Sequence, residues 1–268
     1  TAILAAQGAL RGGAGLVSVA TVESAWTALA AAVPEAMSLP LASDASGGLP
    51  FAALARLLMA AAERDVLAIG PGLGQSAGTF RLVRSLVLEA SGVPVVLDAD
   101  GLNAFAGPAP AKGGRRARKT DGYLRQLAER RAATILTPHP GELARLLGCS
   151  TAEVEADRLA AVRRAAALSG AIVILKGARS LVALPSGAVT INTTGNPGMA
   201  SGGSGDVLTG LVAARLAQGD PPEFAAALAV HLHGLAGDLA VAAGVGQAVP
   251  AGTLAEYLPQ AYAKLAKA

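Results

Sequence analysis

The run TGNPGMASGGSGDVLTG at residues 194–210 places five glycines in the eleven residues before Asp206 and then changes character at once. Val207, Leu208, Leu211 and Val212 are apolar at helical spacing, so the glycine segment feeds the start of a helix with one buried face. Glycines let successive N–H groups turn inward, and the helix dipole adds partial positive charge at the same place. Such a start is an anion cradle, here built from Gly203, Ser204 and Gly205, and it suits a phosphate. Asp206 reads two ways. Asp at a helix start is a preferred cap. With a phosphoryl group on the amides, the same carboxylate is placed to orient an acceptor hydroxyl and take its proton during in-line attack. Asn196, in the same loop, is a candidate to line the site.

Upstream of this run, apolar segments of strand length recur at 16–20, 66–69, 94–97, 133–136, 171–175, 181–184 and 189–191. Helical spacing occupies 51–63, 79–89, 123–131, 142–147 and 151–168 between them, and 207–217, 223–242 and 254–265 after them. Strands alternating with helices predict an α/β fold: a mostly parallel central sheet with helices on both faces. The uninterrupted Val-Pro-Val-Val-Leu at 93–97 fits a strand buried on both sides. Only Pro185, Ser186, Gly187 and Ala188 separate the last two strands, which predicts a late antiparallel hairpin. No repeat or low-complexity linker divides the sequence, so residues 1–268 read as one domain. Residues 2–10 already have helical character, whereas an open α/β sheet begins with a strand and a glycine turn. The expectation is that the first strand lies before Thr1.

Composition narrows the partners. The chain is 52% hydrophobic and 15% charged, with 33 glycines, which suits close helix-on-sheet packing rather than disorder. The charge-poor stretches at 224–237 and 239–254 are broken by His or by Gly, Gln and Pro, and fall short of the roughly 20 apolar residues of a spanning helix. No membrane association is expected. The single Cys149 agrees with a reducing compartment, and no charged n-region with an apolar h-region opens the chain, so the expected location is cytoplasmic. Much of the net charge of +3 sits in Lys112, Arg115, Arg116, Arg118 and Lys119. That run lacks interleaved aromatics and reads as a solvated loop, not a nucleic-acid surface.

Open parallel sheets bind ligands beyond the carboxyl ends of their strands, and four strand ends here are unusually equipped. Gly70, Gly72, Gly74 and Gly78 do not follow G-x-G-x-x-G; they fit a backbone lying close to a ligand or a tight turn into a helix. Asp98, Asp100 and Asn103 fit site lining or the capping that Asx residues perform. His139, between Pro138 and Pro140, is held by its loop in one direction and is a candidate ligand contact. Glu142 is a first-turn helix acid, or holds a water or magnesium ion near phosphates. Lys176 and Arg179 flank Gly177 and fit contacts to nucleotide phosphate or ribose, or an ordinary polar turn. His231 and His233 are two apart, which on a helix makes a poor metal pair.

Taken together, GLVSVAT at 15–21, IGPGLG at 69–74, LDADGLN at 97–103, LTPHPGE at 136–142, LKGARS at 175–180 and TGNPGMASGGSGDVLTG at 194–210 resemble the carbohydrate-kinase-like family of NAD(P)H-hydrate dehydratases, which has the ribokinase-like fold. The resemblance implies phosphorylation of the ring hydroxyl of hydrated NADH or NADPH by ADP or ATP, with Mg2+ carried on the phosphates, followed by loss of phosphate. It implies that Asp206 is catalytic and touches substrate, that Gly205 contacts nucleotide, and that Lys176, Gly177, Ala178, Arg179 and Ser180 form the nucleotide-binding segment. Gly72 and His139 match positions touching the hydrated dinucleotide, and Ala2 matches a substrate-contacting alanine. Bacterial members typically use ADP, but the sequence leaves ADP against ATP open. The segment from Gly107 to Gly122 is longer and more basic than is usual in the family. An epimerase partner, fused upstream or separate, and self-association as far as a tetramer are further expectations. Two rivals stay open: a small-molecule kinase of the same fold acting on a vitamin precursor or sugar, and a non-catalytic nucleotide-binding protein.

Overall fold

The computed structural model describes residues 1–45, 47–107 and 122–267; the basic run from Lys112 to Lys119 lies outside the described residues. In chain order the elements begin with α1 (Ala2–Arg11), β1 (Ser18–Val22), α2 (Glu23–Ala32) and β2 (Met37–Leu41). Next come α3 (Leu54–Ala62), β3 (Leu67–Ile69), α4 (Ala77–Glu89), β4 (Val95–Leu97), α5 (Ala99–Asn103), α6 (Gly122–Arg125), β5 (Thr134–Leu136), α7 (Pro140–Leu147), α8 (Thr151–Ala156), α9 (Arg158–Ser169) and β6 (Ile172–Leu175). The chain finishes with β7 (Leu181–Ala183), β8 (Val189–Ile191), α10 (Ser204–Ala217), α11 (Pro222–Ala242), α12 (Ala251–Glu256) and α13 (Leu258–Leu265). They form two compact units: residues 1–49, 178–180 and 191–268 in the first, and 50–177 with 181–190 in the second.

The second unit carries the expected sheet. Strands β3, β4, β5 and β6 pair in parallel with their neighbours, β7 runs antiparallel to β6, and β8 follows it at the edge. Val95, Val96, Leu97, Ile135, Leu136, Val173, Ile174 and Leu175 are all 0% exposed. Successive strand residues point to opposite faces, so a run with no exposed member requires both faces to be covered. The expected helix over 151–168 is two helices, because Asp157 leaves helical geometry and its carboxylate accepts the Ala160 N–H at 2.9 Å to start α9. At the other end of the unit, Arg130 closes α4: its guanidinium donates to the Val87, Ala90 and Val93 carbonyls, and its Nε to Thr134 Oγ1. Burial pushes the Arg130 pKa down to about 10, which leaves it a cation at neutral pH, as a helix C-terminus favours.

The first unit holds two elements that hydrophobic patterning did not anticipate. β2 pairs in parallel with β1 over five residues even though it contains Pro40; a proline inside a short run argues against a strand unless its missing N–H faces no partner. α2 buries only Leu29, so its alanine-rich sequence carries little 3.6-residue periodicity to read. The core of the unit is the crossing of α1 and α10, where the backbones touch. A Cβ on Gly210 would overlap the Ala5 carbonyl and come within 2.7 Å of the Ala9 nitrogen, and one on Gly8 would strike the Val207 carbonyl. α11 is long and apolar enough by composition to cross a membrane, yet more than half of its apolar stretch is buried inside the protein.

Substituting Gly210→Ala is expected to cost about 1–3 kcal/mol of stability by overpacking, whereas Gly252→Ala, which meets open space within α12, is expected to gain roughly 0.5–1 kcal/mol from helix propensity. Urea unfolding of the two variants should therefore move in opposite directions.

Candidate functional site

Helix α10 opens in the way the sequence implies. Gly203 is its N-cap at φ 91°, a left-handed conformation that glycine adopts without penalty, and no side chain caps the helix. The Ser204 N–H bonds to Ser201 O and the Asp206 N–H to Gly203 O, while among the described residues no acceptor meets the N–H of Gly203 or Gly205. These free donors and the dipole of a 14-residue helix make a site for negative charge. The Asp206 side chain lies beside the cap residue. It is 8% exposed and folds back, with Oδ2 3.7 Å from where a Cβ on Gly203 would sit. A carboxylate thus stands beside the donors. Leu4 of α1 lies against Gly203, and the half-buried Ala2 opens the same helix.

The glycine loop before α10 is held from α11. Asp238 accepts the Gly195 N–H at 2.8 Å and the Asn196 Nδ2–H at 2.9 Å. Thr194 Oγ1 donates to His231 O at 2.8 Å, and the buried His233 Nε2–H donates to Ser204 O at 2.9 Å. Ser201 Oγ and the Val249 N–H add bonds of 2.8 and 2.9 Å on the other side. Asn196, expected to line a site, has both ends of its amide engaged, Nδ2 by Asp238 of α11 and Oδ1 by the Gly198 N–H at 3.0 Å within the loop. Sequence reading missed His233 and Asp238 as supports of the cradle. The available signal was polar side chains on an otherwise apolar helix, which need partners when half or fully buried.

In the second unit, the loops after β4, β5 and β6 bring Asp98, His139, Glu142 and Lys176 together. Lys176 Nζ is 2.6 Å from Asp98 Oδ1 and 3.8 Å from Glu142 Oε2. Both acids are nearly dry, at 1% and 6% exposed, so the lysine supplies the counter-charge that burial demands. Asp98 sits at the start of α5 but its side chain makes no cap. Glu142 does cap: its Oε2 accepts the His139 N–H at 2.8 Å, while His139 Nδ1 accepts from the Gly141 and Glu142 N–H groups at 3.0 and 3.4 Å, a reciprocal capping box. Asp100 and Asn103 form a separate network, with Asp100 accepting from Gly74 N, Gln75 Nε2 and Asn103 Nδ2, and Asn103 Oδ1 from Arg145 Nε. Gly72 is exposed beside it in sequence.

The segment 176–180 divides. Lys176 and Gly177 belong to the second unit, and Ala178, Arg179 and Ser180 to the first. Gly177, Ala178 and Arg179 are exposed, and Arg179 adopts φ 53°, unusual for a residue with a side chain. The Lys176 ammonium, expected on nucleotide, is engaged by the two acids.

The sequence matches the family described as NAD(P)H-hydrate dehydratase over residues 1–260. It is 45% identical over 256 residues to the bifunctional NAD(P)H-hydrate repair enzyme Nnr of Moorella thermoacetica, covering 96% of this chain and 45% of that protein. It is 43% identical over 188 residues to the ADP-dependent (S)-NAD(P)H-hydrate dehydratase of Neisseria meningitidis, covering 70% of this chain and 59% of that protein. The chain thus spans less than half the length of the first relative. The fold is similar to that of the Bacillus subtilis ADP/ATP-dependent NAD(P)H-hydrate dehydratase co-crystallized with ATP/Mg2+, with a TM-score of 0.76, 30% identity, and coverage of 98% of this chain and 84% of that one. The ribokinase-like architecture expected from the motifs is the one found.

Two outcomes follow from the geometry. Asp238→Asn is expected to speed amide hydrogen exchange at Gly195 by about tenfold or more, because a charge-assisted acceptor becomes a neutral one; unchanged exchange there would remove the clamp. Lys176→Met is expected to cost about 3–5 kcal/mol by removing the cation that two buried carboxylates share, and adding Asp98→Asn to it should recover part of that loss in chemical denaturation.

Proposed function

The chain belongs to the NAD(P)H-hydrate dehydratase family, and from that premise we propose that it catalyses the ADP- or ATP-dependent dehydration of hydrated NADH or NADPH, returning the reduced dinucleotide. The observation that carries this reading is the start of α10, where the N–H groups of Gly203 and Gly205 meet no acceptor among the described residues and adjoin the Asp206 carboxylate. The amides of Gly203 and Gly205 hold the phosphoryl group being transferred and stabilise its charge, with Ser204, whose N–H is turned to Ser201 O, between them. Asp206 takes the proton of the ring hydroxyl as that oxygen bonds to phosphorus and the nucleotide oxygen leaves. Phosphorylation turns a poor leaving group into a good one. The ring nitrogen then supplies electron density as the carbon–oxygen bond breaks, phosphate departs, and loss of a proton from the neighbouring ring carbon restores the dihydronicotinamide.

Lys176, Gly177, Ala178, Arg179 and Ser180 are assigned to the nucleotide, with the Lys176 ammonium reserved for the acids it neutralises. Ala2, Gly72 and His139 are assigned to the hydrated dinucleotide. Among the described residues no cluster of three His, Cys, Asp or Glu side chains stands ready for a metal. A Mg2+ ion is assigned to the phosphates of the nucleotide, whose charge it would neutralise when bound. Residues 1–268 are read as one dehydratase domain, cytoplasmic and self-associating, working with an epimerase that is either fused to it or separate.

Purified protein given hydrated NADH with ADP or ATP and Mg2+ is expected to regain the absorbance of reduced nicotinamide, and chelating the Mg2+ should stop it. Asp206→Asn should lower the rate by at least about 100-fold while leaving the thermal midpoint near that of the wild type. A stable phosphorylated product without NADH would mark a small-molecule kinase instead. Nucleotide binding with no turnover of either kind would mark a silent binding protein.

A further inference from the structure

The chemical state of His139 follows from what surrounds its ring. We propose that His139 meets the hydrated dinucleotide as a neutral hydrogen-bond donor through Nε2–H, fixed in that tautomer by the start of α7, and that it does not act as a proton acceptor. This rests on the reading that His139 touches the acceptor substrate.

Nδ1 accepts the N–H groups of Gly141 and Glu142 at 3.0 and 3.4 Å. A nitrogen that accepts carries no proton, so the single proton of the neutral ring is on Nε2. Moving it to Nδ1 would set N–H against N–H and leave two donors of the first turn without their acceptor. Serving as a base through Nε2 requires that arrangement, so the cap and the base role exclude each other. The polarity of the surroundings agrees. Nε2 lies 3.4 Å from Glu142 Oε1, an acceptor, and the other oxygen of that carboxylate is held by the His139 main-chain N–H at 2.8 Å. Lys176, locked against Asp98 at 2.6 Å, stands 3.8 Å from the same oxygen and keeps the carboxylate in place. The Nε2–Oε1 distance exceeds that of a full-strength N–H···O bond, so the proton is available to an incoming oxygen. The side chain is 51% exposed, which leaves that edge of the ring open to a ligand. Pro140, as the first residue of α7, has no N–H to compete for Nδ1. The partner this geometry selects is a hydroxyl, carboxamide or phosphate oxygen of the hydrated dinucleotide.

Two measurements test the assignment. The first is a long-range 1H–15N spectrum of the histidine rings of the intact chain without ligands, expected to show His139 protonated on Nε2 alone. The second compares three variants. Asn keeps both a capping acceptor and an N–H donor, Asp keeps the acceptor without the donor, and Ala has neither. His139→Asn is expected to retain kcat/KM for hydrated NADH within about tenfold of wild type, and His139→Asp to fall by at least about 100-fold, the size of loss typical of a removed donor. The KM for nucleotide should be unchanged in both, and the thermal midpoints of the Asn and Asp variants should match because either residue caps a helix. A proton found on Nδ1, Asp outperforming Asn, or Asn falling as far as Ala overturns the donor role. If all three variants keep wild-type kcat/KM while Asp206→Asn is inactive, His139 does not meet the substrate and the contact itself is wrong. If the wild type regenerates no NADH, the dehydratase reading fails and the proposal falls with it, whatever tautomer the spectrum shows.

Discussion

A loop with five glycines among residues 195–205 cannot hold a shape by itself. Ordering the backbone costs about 1–2 kcal/mol per residue and most of all at glycine, so the cradle depends on being pinned from outside. α11 supplies the pins. It is a rigid, largely buried helix, and it meets the loop at Gly195, Asn196 and Thr194 on one side and at Ser204 on the other. A charged acceptor such as Asp238 makes bonds of roughly 1.5–3 kcal/mol each, enough to offset the ordering of the residues it touches. The same glycines that need this support are what leave the amides bare for an anion.

The second unit handles charge in the opposite way. Its loops bury two carboxylates, and a cation placed between buried like charges offsets their repulsion and desolvation. Lys176 fills that need, which is why a residue whose position after β6 suggests a nucleotide contact points to Asp98 and Glu142. Glu142 in turn is shared between the lysine and the start of α7, so the helix, the ion pair and the His139 ring are one mechanical unit. Asp100, two residues from Asp98, is a loop tie with three donors; neighbouring acids in one motif have separate duties.

For phosphoryl chemistry, the donor-side requirement is modest: amides to receive charge and one acid to receive a proton. Those two features serve a kinase and a dehydratase alike. What distinguishes the dehydratase is the fate of the phosphorylated product, which the electron-rich ring nitrogen of a hydrated nicotinamide decides, and the family to which the chain belongs is described by that outcome.

Local chemistry marked out much of this protein in advance. The parallel strands at 95–97, 134–136 and 172–175 are unbroken hydrophobic runs because both of their faces are buried, and the start of α10 is visible because glycine, Asp and an apolar helix pattern coincide there. β2 and α2 stayed hidden, since one contains Pro40 and the other buries a single leucine, so neither has a periodicity set by its own burial. Asp157 shows the same limit, because a cap inside an otherwise helical run is recognisable only by the N–H it accepts. Sequence alone determined which strand ends bring glycines and polar side chains together, because those residue types are local facts. Tertiary structure decided what each one does: His233 and Asp238 became supports, Asn196 a loop brace, Lys176 a counter-ion and His139 a cap. Each of those duties belongs to a polar atom whose partner is brought to it only by folding, and burial makes finding that partner obligatory.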